Sequence, residues 1–550
     1  MRINKDLILV FFLLIFGIFG IKALFHSGYF TSHDGWHQVV RLYYYDKAIK
    51  EVIFLPSYIT GLYYGYGYPL FIFSYHLPWI LAEPFMLAGL SVFNSIKAVY
   101  IITYIASGLT MFLYLRNRFK SLESFIGAFI YIWAPYRFSN IFVRGSVGEA
   151  TVFVFIPLLF LGIDLSRKHF KWSTIMIGSL AISGIILSHA IVALLVLGAA
   201  FLYFIIQLIF EKNKLRFLSI FTVILTLGIM LSSYYLIPAI SYKKYTQFNE
   251  RFQLKYDGQF ATISELIYSK WGYGFSTPRK PDSMSFQVGI AQWLTIILVV
   301  SLLFFYLIKK RKIKQLEFAC GLILIFTLAV FLILPKSSFV WAFLAQNFFS
   351  IDFPWRLLTI AVFSSSALGT YLLFLLPKKL KLIFLLLLIG IALYTNRNHL
   401  RVNQYTNIPL DLYLLSERTT NTYDEYLPKW ADGQEIEKMK KGGTIEVKND
   451  IEIVDIKSKM NRLSFNYKSS KIPEFTVHLS YFPGWEVSID NAKTDLSYND
   501  QGLMKFQGLG GEHKVLINYR GTILMQIAKI ISLITLLLLT FGFFIQKKIR

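Results

Sequence analysis

His33, Asp34 and His37 lie within one short stretch that begins eight residues after the apolar run 7–25 ends. A carboxylate where a membrane helix emerges is suited to take a proton from a hydroxyl at the membrane surface. Two imidazoles four residues apart beside it could also hold a metal ion together with Asp34. From Trp36 onward, Val39, Val40, Tyr43 and Lys47 recur at helical spacing, which predicts an amphipathic helix over 35–50 lying in the membrane interface. Aspartate is favoured just before a helix, so simple capping by Asp34 stands beside catalysis as a reading of the same residue.

A second set follows in Trp133-Ala134-Pro135-Tyr136-Arg137 through Arg144-Gly145-Ser146-Val147-Gly148-Glu149. Arg137 and Arg144 are seven apart and are predicted to share one helical face directed at the outer membrane surface, where guanidinium groups can grip phosphate oxygens in pairs. Glu149 could orient Arg144 or accept from a sugar hydroxyl, and both arginines could instead snorkel to lipid headgroups. Lys243, Lys244, Arg251 and Lys255 stand beside Tyr242, Tyr245 and Tyr256, a mixture that can hold a lipid phosphate and stack on a sugar ring. His189 sits between two apolar runs as a packing residue or a ligand. Asp352 and Arg356 flank Phe353-Pro354-Trp355 and are spaced to pair across one helical turn, either lining a cavity or anchoring a helix.

The elements that must position these groups are mostly membrane helices. Of 550 residues, 55% are hydrophobic, 17% aromatic and only 16% charged, the composition of a polytopic membrane protein. About twelve runs are long enough to cross some 30 Å of hydrocarbon: 7–25, 96–115, 122–141, 150–165, 173–188, 190–210, 217–238, 289–308, 316–335, 354–376, 381–395 and 523–545. The first is read as a retained anchor, because its core is longer than that of a signal peptide and no small-residue cleavage site follows. The net charge of +24 gathers in every second connection, as at Arg116, Arg118 and Lys120, or Lys309 to Lys314. That is the positive-inside pattern of a plasma-membrane protein with both termini cytoplasmic, and it removes any need for a nucleic-acid partner. Segment 69–90 is interrupted by Pro69, Pro78 and Pro84 and carries Glu83; a full crossing would invert every later basic loop, so it is read as re-entrant or interfacial.

Four segments then share the outer side: 26–95, 138–149, 239–288 and 396–522. The last turns polar and carries alternating strand patterns at 444–448, 451–457, 462–467, 475–480, 485–489, 502–506 and 513–519, broken at Gly442-Gly443, Pro483-Gly484 and Gly508 to Gly511. The expected architecture is a membrane domain over 1–395, a small β sandwich over 396–522, and a last helix with a basic tail over 523–550. The single cysteine, Cys320, lies in an apolar run, so no disulfide framework and no cysteine metal site is expected.

Tyr66-Gly67-Tyr68-Pro69-Leu70, Ala134-Pro135-Tyr136-Arg137, Arg144 through Glu149, Ser188-His189 and Phe353-Pro354-Trp355-Arg356, in this order after a first helix and an early Asp, resemble the bacterial membrane family labelled 6-pyruvoyl-tetrahydropterin synthase-related. Nothing in the sequence suggests a soluble pterin enzyme. The family is grouped with the GT-C glycosyltransferases, and Tyr481-Phe482-Pro483-Gly484-Trp485 is similar to a signature of YfhO-like proteins. The resemblance covers nearly the whole chain. It implies a GT-C-like fold and a transferase that uses a polyprenyl-phosphate-linked sugar at the outer leaflet, with the first-loop acid, here Asp34, as the catalytic position. It leaves a divalent cation, magnesium or manganese, as the one cofactor to consider, with His33, Asp34 and His37 as the ligands to test.

Because no nucleotide sugar is expected outside the membrane, the sugar should arrive on a lipid phosphate and pass to an extracytoplasmic glycan, lipid or polymer. Asp34 would act as base, while Arg144, Arg137, Lys243 or Lys244 would stabilise the departing phosphate. A lipid-linked saccharide transporter and a non-catalytic envelope-assembly protein are the alternative readings. A transporter, however, should carry ionisable residues near the midplane and repeated halves, which this sequence lacks.

Overall fold

The computed structural model describes residues 5–168, 170–251, 256–347, 352–416, 419–421, 423–433, 438, 442–447 and 451–548. Among them, eight helices are long and apolar enough to cross a membrane: Val92–Arg116, Val147–Ser166, Ala190–Ile209, Lys214–Leu231, Ile290–Ile308, Leu316–Ile333, Pro354–Leu375 and Ile523–Lys547. The helices Lys5–Gly20, Ser121–Ile132, Trp172–Ser188 and Lys378–Thr395 pack with them. Caps fix several ends. Ser91 accepts from the Asn94 N–H, and Asn213 from the Arg216 N–H at 3.2 Å, so each satisfies a donor that its helix leaves unpaired.

The third expected span is corrected. It does not run to 141 but stops at Ile132, because Pro135 has no N–H to continue the ladder. A short turn Pro135–Phe138 follows, then the wide turn Ser139–Arg144, which ends on Gly145 at φ +65°. Arg137 and Arg144 are therefore not on one helical face, and they point to different places. Gly145 is required twice over: its backbone is left-handed, and an added Cβ would lie 2.3 Å from the Ser32 hydroxyl.

Segment 69–90 folds as Leu70–Phe73 and Leu77–Leu87, with Pro84 inside the second helix. Eleven residues of helix reach only about 16 Å, half the hydrocarbon thickness. Burial and the neighbouring Asp46 push the Glu83 carboxyl up to about 7.

Two antiparallel sheets precede the last helix. One orders Ile445–Val447, Glu474–Ser480, Leu503–Gln507 and Ser497–Tyr498; the other orders Glu452–Lys459, Arg462–Ser469, Gly511–Tyr519, Trp485–Ile489 and Ala492–Thr494. Alternate residues face inward: Leu463, Phe465 and Tyr467 from one sheet meet Phe475, Val477 and Phe506 from the other, which buries one face of the central strands as the period-two pattern demands.

The first loop clasps this β unit. Ser480 N–H donates to Tyr66 O at 2.7 Å, the Tyr58 hydroxyl donates to Ser480 O at 2.7 Å, and Gly442 N–H donates to Tyr64 O at 3.0 Å. At Gly442 an added Cβ would stand 2.0 Å from the Gly65 carbonyl carbon. Gly442→Ala is accordingly expected to cost about 1–3 kcal/mol, since backbone rather than a side chain must give way; thermal unfolding of the purified variant checks it.

At the end of the helix Val147–Ser166 remote from Arg144, charges are neutralised in pairs. Arg118 binds Asp164 at 2.5 Å and Glu317 at 3.3 Å, and Arg167 binds Glu211 at 3.0 Å and Glu317 at 3.3 Å. Twenty residues of helix, about 30 Å, separate this network from the polar cavity described next.

Candidate functional site

All four segments that charge alternation places on one side contribute to a single cavity of about 830 Å³ at one end of the helix bundle. His33, Asp34 and His37 line it from the first loop, Arg144 and Ser146 from the wide turn, Tyr273 from the loop 239–288, and Glu425 from the stretch before the β unit; His189, Asp352 and Arg356 complete it. Seven of the residues singled out in the sequence thus share one space: Asp34, His33, His37, Arg144, His189, Asp352 and Arg356.

Backbone pairing puts Asp34 beside Arg144. Asp34 N–H donates to Arg144 O at 2.8 Å and His33 N–H donates to Val143 O at 3.0 Å, so the first loop is laid on the wide turn. A two-residue ladder, Tyr29–Phe30 with Tyr405–Thr406, holds the same loop from the other side. The helix that follows spans Gly35–Lys50, and the Asp34 side chain makes no capping hydrogen bond to it. The carboxylate is half-buried and turned to the cavity.

Arg144 is held from behind. It forms an ion pair with Glu149 and lies over the Trp355 ring at 4.7 Å. Glu149 also accepts from the Tyr136 hydroxyl at 2.6 Å and the Thr359 hydroxyl at 2.8 Å. Fully buried and engaged by three donors, Glu149 does not line the cavity and holds Arg144 rather than a sugar hydroxyl. It stands behind the cavity wall, not among the cavity contacts expected from the sequence.

Arg356 donates to His189 Nε2 at 2.6 Å and to Asp352 Oδ2 at 3.2 Å. Burial and the Arg356 guanidinium hold the His189 imidazole well below its ordinary pKa, so it is a neutral acceptor. This triad brings the break between helices Trp172–Ser188 and Ala190–Ile209 against the start of the helix at Pro354.

Three expected phosphate contacts lie elsewhere. Arg137 is buried among Phe153, Tyr104 and Tyr131, with ring centroids at 3.9, 5.1 and 5.8 Å, and donates to the Ser107 hydroxyl at 2.9 Å. The break at Pro135 turns it inward, so it does not line the cavity. Lys243 rests over Phe248 at 3.8 Å and Lys244 over Tyr245 at 5.1 Å; neither lines the cavity. Lys255 lies outside the described residues.

Other cavity residues escaped the sequence reading. Arg41, two turns along the first-loop helix, donates through Nε to the Thr420 hydroxyl at 3.0 Å and through Nη2 to the Thr420 carbonyl at 2.5 Å. Glu425 is buried, accepts from the Asn421 amide at 2.7 Å through Oε1, and has no partner for Oε2 among the described residues. Its distance in sequence from Asp34 left no local signal. Periodicity along 35–50 could have marked Gln38 and Arg41 as sharing a face with Asp34.

The fit of a divalent ion to His33, Asp34 and His37 is weak. Among the described residues, no group of three or more His, Cys, Asp or Glu side chains is placed to hold one, and His33 Nε2 faces the Tyr273 carbonyl at 3.4 Å.

The bundle of apolar helices, the polar cavity at one end and the β unit before the last helix define a polytopic membrane protein. The chain belongs to the family described as 6-pyruvoyl-tetrahydropterin synthase related domain, membrane protein, which it matches over residues 73–402. Among solved structures it is similar to the apo oligosaccharyltransferase of Archaeoglobus fulgidus, at TM-score 0.47 and 12% identity over 79% of this chain and 64% of that one. It is also similar to the arabinofuranosyltransferase AftD from Mycobacteria, at TM-score 0.43 and 11% identity over 74% and 28%. The Archaeoglobus enzyme tethered to an acceptor peptide gives 0.42 and 11% over 78% and 61%. The chain thus spans less than two thirds of the length of each of these structures. No curated protein matches its sequence.

Proposed function

We propose that this protein is a membrane glycosyltransferase that moves a sugar from a polyprenyl-phosphate donor to an extracytoplasmic glycan or polymer, with its cavity facing outward. The observation that carries the reading is one cavity holding a half-buried carboxylate, Asp34, and two fixed guanidinium groups, Arg144 and Arg356. The acceptor hydroxyl attacks the anomeric carbon while the bond from that carbon to the phosphate oxygen breaks. Its proton passes to Asp34, and the phosphate departs on its lipid with the charge met by Arg144 and Arg356. Attack from the face opposite the phosphate inverts the anomeric centre.

A place for the lipid tail supports the reading. An apolar groove of about 370 Å³ runs between the helices Ala190–Ile209 and Leu316–Ile333, lined by Leu194, Leu195, Ala329, Trp341, Leu357 and Ile360. Leu357 follows Arg356 directly, and Leu194 lies just over one turn beyond His189. A phosphate at Arg356 therefore sits where a tail can enter the groove.

The test is transfer of labelled sugar from a panel of polyprenyl-phosphate sugars by the full-length protein in liposomes, with a chelator arm that reads any need for magnesium or manganese. Arg356→Ala is expected to raise the donor concentration for half-maximal rate by about tenfold, the worth of one lost charged hydrogen-bond donor. No turnover with any donor, alongside saturable lipid binding, would point instead to a transporter.

A further inference from the structure

The helix Gly35–Lys50 serves two concavities. Its first turns present Asp34, His37 and Arg41 to the large cavity; its last turns present Tyr44 and Lys47 to a separate cleft of about 240 Å³ against the β unit. Steps of three and four residues keep all five on one side of the helix. From Asp34 to Lys47 is about 20 Å along the axis, at 1.5 Å per residue.

The cleft is basic and built. Lys459 and Arg462 flank the turn between the strands Glu452–Lys459 and Arg462–Ser469, and this turn is pinned to the first loop. Met460 N–H donates to Glu51 at 2.7 Å, and the Thr60 hydroxyl donates to the Met460 carbonyl at 2.8 Å. The carboxylate of Glu51 is thus engaged by the backbone. Lys47, Lys459 and Arg462 have no carboxylate partner among the described residues, although all three border the same small space. Tyr44 and Trp485, both buried, close its floor. Three exposed cations that border one concavity match an acidic sugar unit, whose carboxylate they can meet.

We propose that this cleft is a distal acceptor subsite that binds an acidic unit of an extended extracytoplasmic glycan, whose reacting end lies about 20 Å away at Asp34. The proposal rests on the transferase reading for its purpose, but binding at the cleft can be measured without turnover.

The experiment is calorimetric titration of the full-length protein, in nanodiscs of neutral phosphatidylcholine, with tetragalacturonate and with maltotetraose. Wild type should bind the acidic tetramer saturably, and more weakly as salt is raised, with the neutral tetramer at least about tenfold weaker. The double variant Lys459→Ala with Arg462→Ala should lose about tenfold in affinity for the acidic tetramer at unchanged melting temperature, whereas Asp34→Asn should bind it as wild type does. Absence of saturable binding, equal binding of the neutral tetramer, or undiminished binding by the double variant would each overturn the proposal. Acidic-tetramer binding that persists while no donor supports transfer would sink the transferase reading and leave the subsite standing.

Discussion

Asp34→Asn is expected to lower sugar transfer by about 10²- to 10⁴-fold, the usual contribution of a positioned general base, while changing folding stability by no more than about 0.5 kcal/mol. The second half of this expectation comes from the geometry. The Asp34 side chain makes no capping bond to the helix Gly35–Lys50, and the loop is anchored through backbone groups, Asp34 N–H to Arg144 O among them. Asparagine keeps the size and the backbone bonds and removes only the capacity to accept a proton at neutral pH. Transfer rate and melting temperature measured on the same preparation decide the matter. A parallel fall in both would return Asp34 to a structural role.

Glu149→Ala should be the most destabilising single change in the site, at about 3–5 kcal/mol, because it strands the buried Arg144 guanidinium without a counter-charge. It also removes the acceptor for the Tyr136 and Thr359 hydroxyls. Two companions separate these causes. Glu149→Gln retains an oxygen for both hydroxyls, so the loss that remains reports the missing charge. Pairing Glu149→Gln with Arg144→Met removes the stranded cation and should recover most of the stability, yet under the proposed mechanism it should not recover transfer, since the cavity has lost the Arg144 charge. Chemical unfolding of the three variants in detergent measures the series. A Glu149→Ala protein as stable as wild type would refute the assignment of Glu149 as the group that holds Arg144.

Local patterns in the sequence reached much of this architecture, and the reasons are physical. Strands such as Arg462–Ser469 bury every second residue, so alternation reveals them. The spacing of Asp352 and Arg356 is one helical turn, and they do pair. The helix Gly35–Lys50 begins and ends where the spacing of Val39, Tyr43 and Lys47 placed it. What failed was the assumption that an apolar run stays helical: Pro135 breaks it, and with the break the shared face of Arg137 and Arg144 disappears. What could not be reached was the far wall of the cavity. Thr420, Asn421 and Glu425 meet Arg41 and the first loop only through folding across nearly 400 residues, and no periodicity encodes such a meeting. Lys243 and Lys244 rest on neighbouring rings and lie outside the cavity lining, a placement their residue types alone did not indicate.

The short ladder between Tyr29–Phe30 and Tyr405–Thr406 also sets a schedule for biosynthesis. The strand that Tyr29–Phe30 must pair with leaves the ribosome some 375 residues after it, which at 5–20 residues per second is about 20–75 s. Throughout that interval the cavity has no far wall, and the Asp34 loop waits at the membrane surface while most of the helices are inserted. A product that stops before Tyr405 would therefore lack the partner strand together with Thr420, Asn421 and Glu425, and its cavity would stay open on that side.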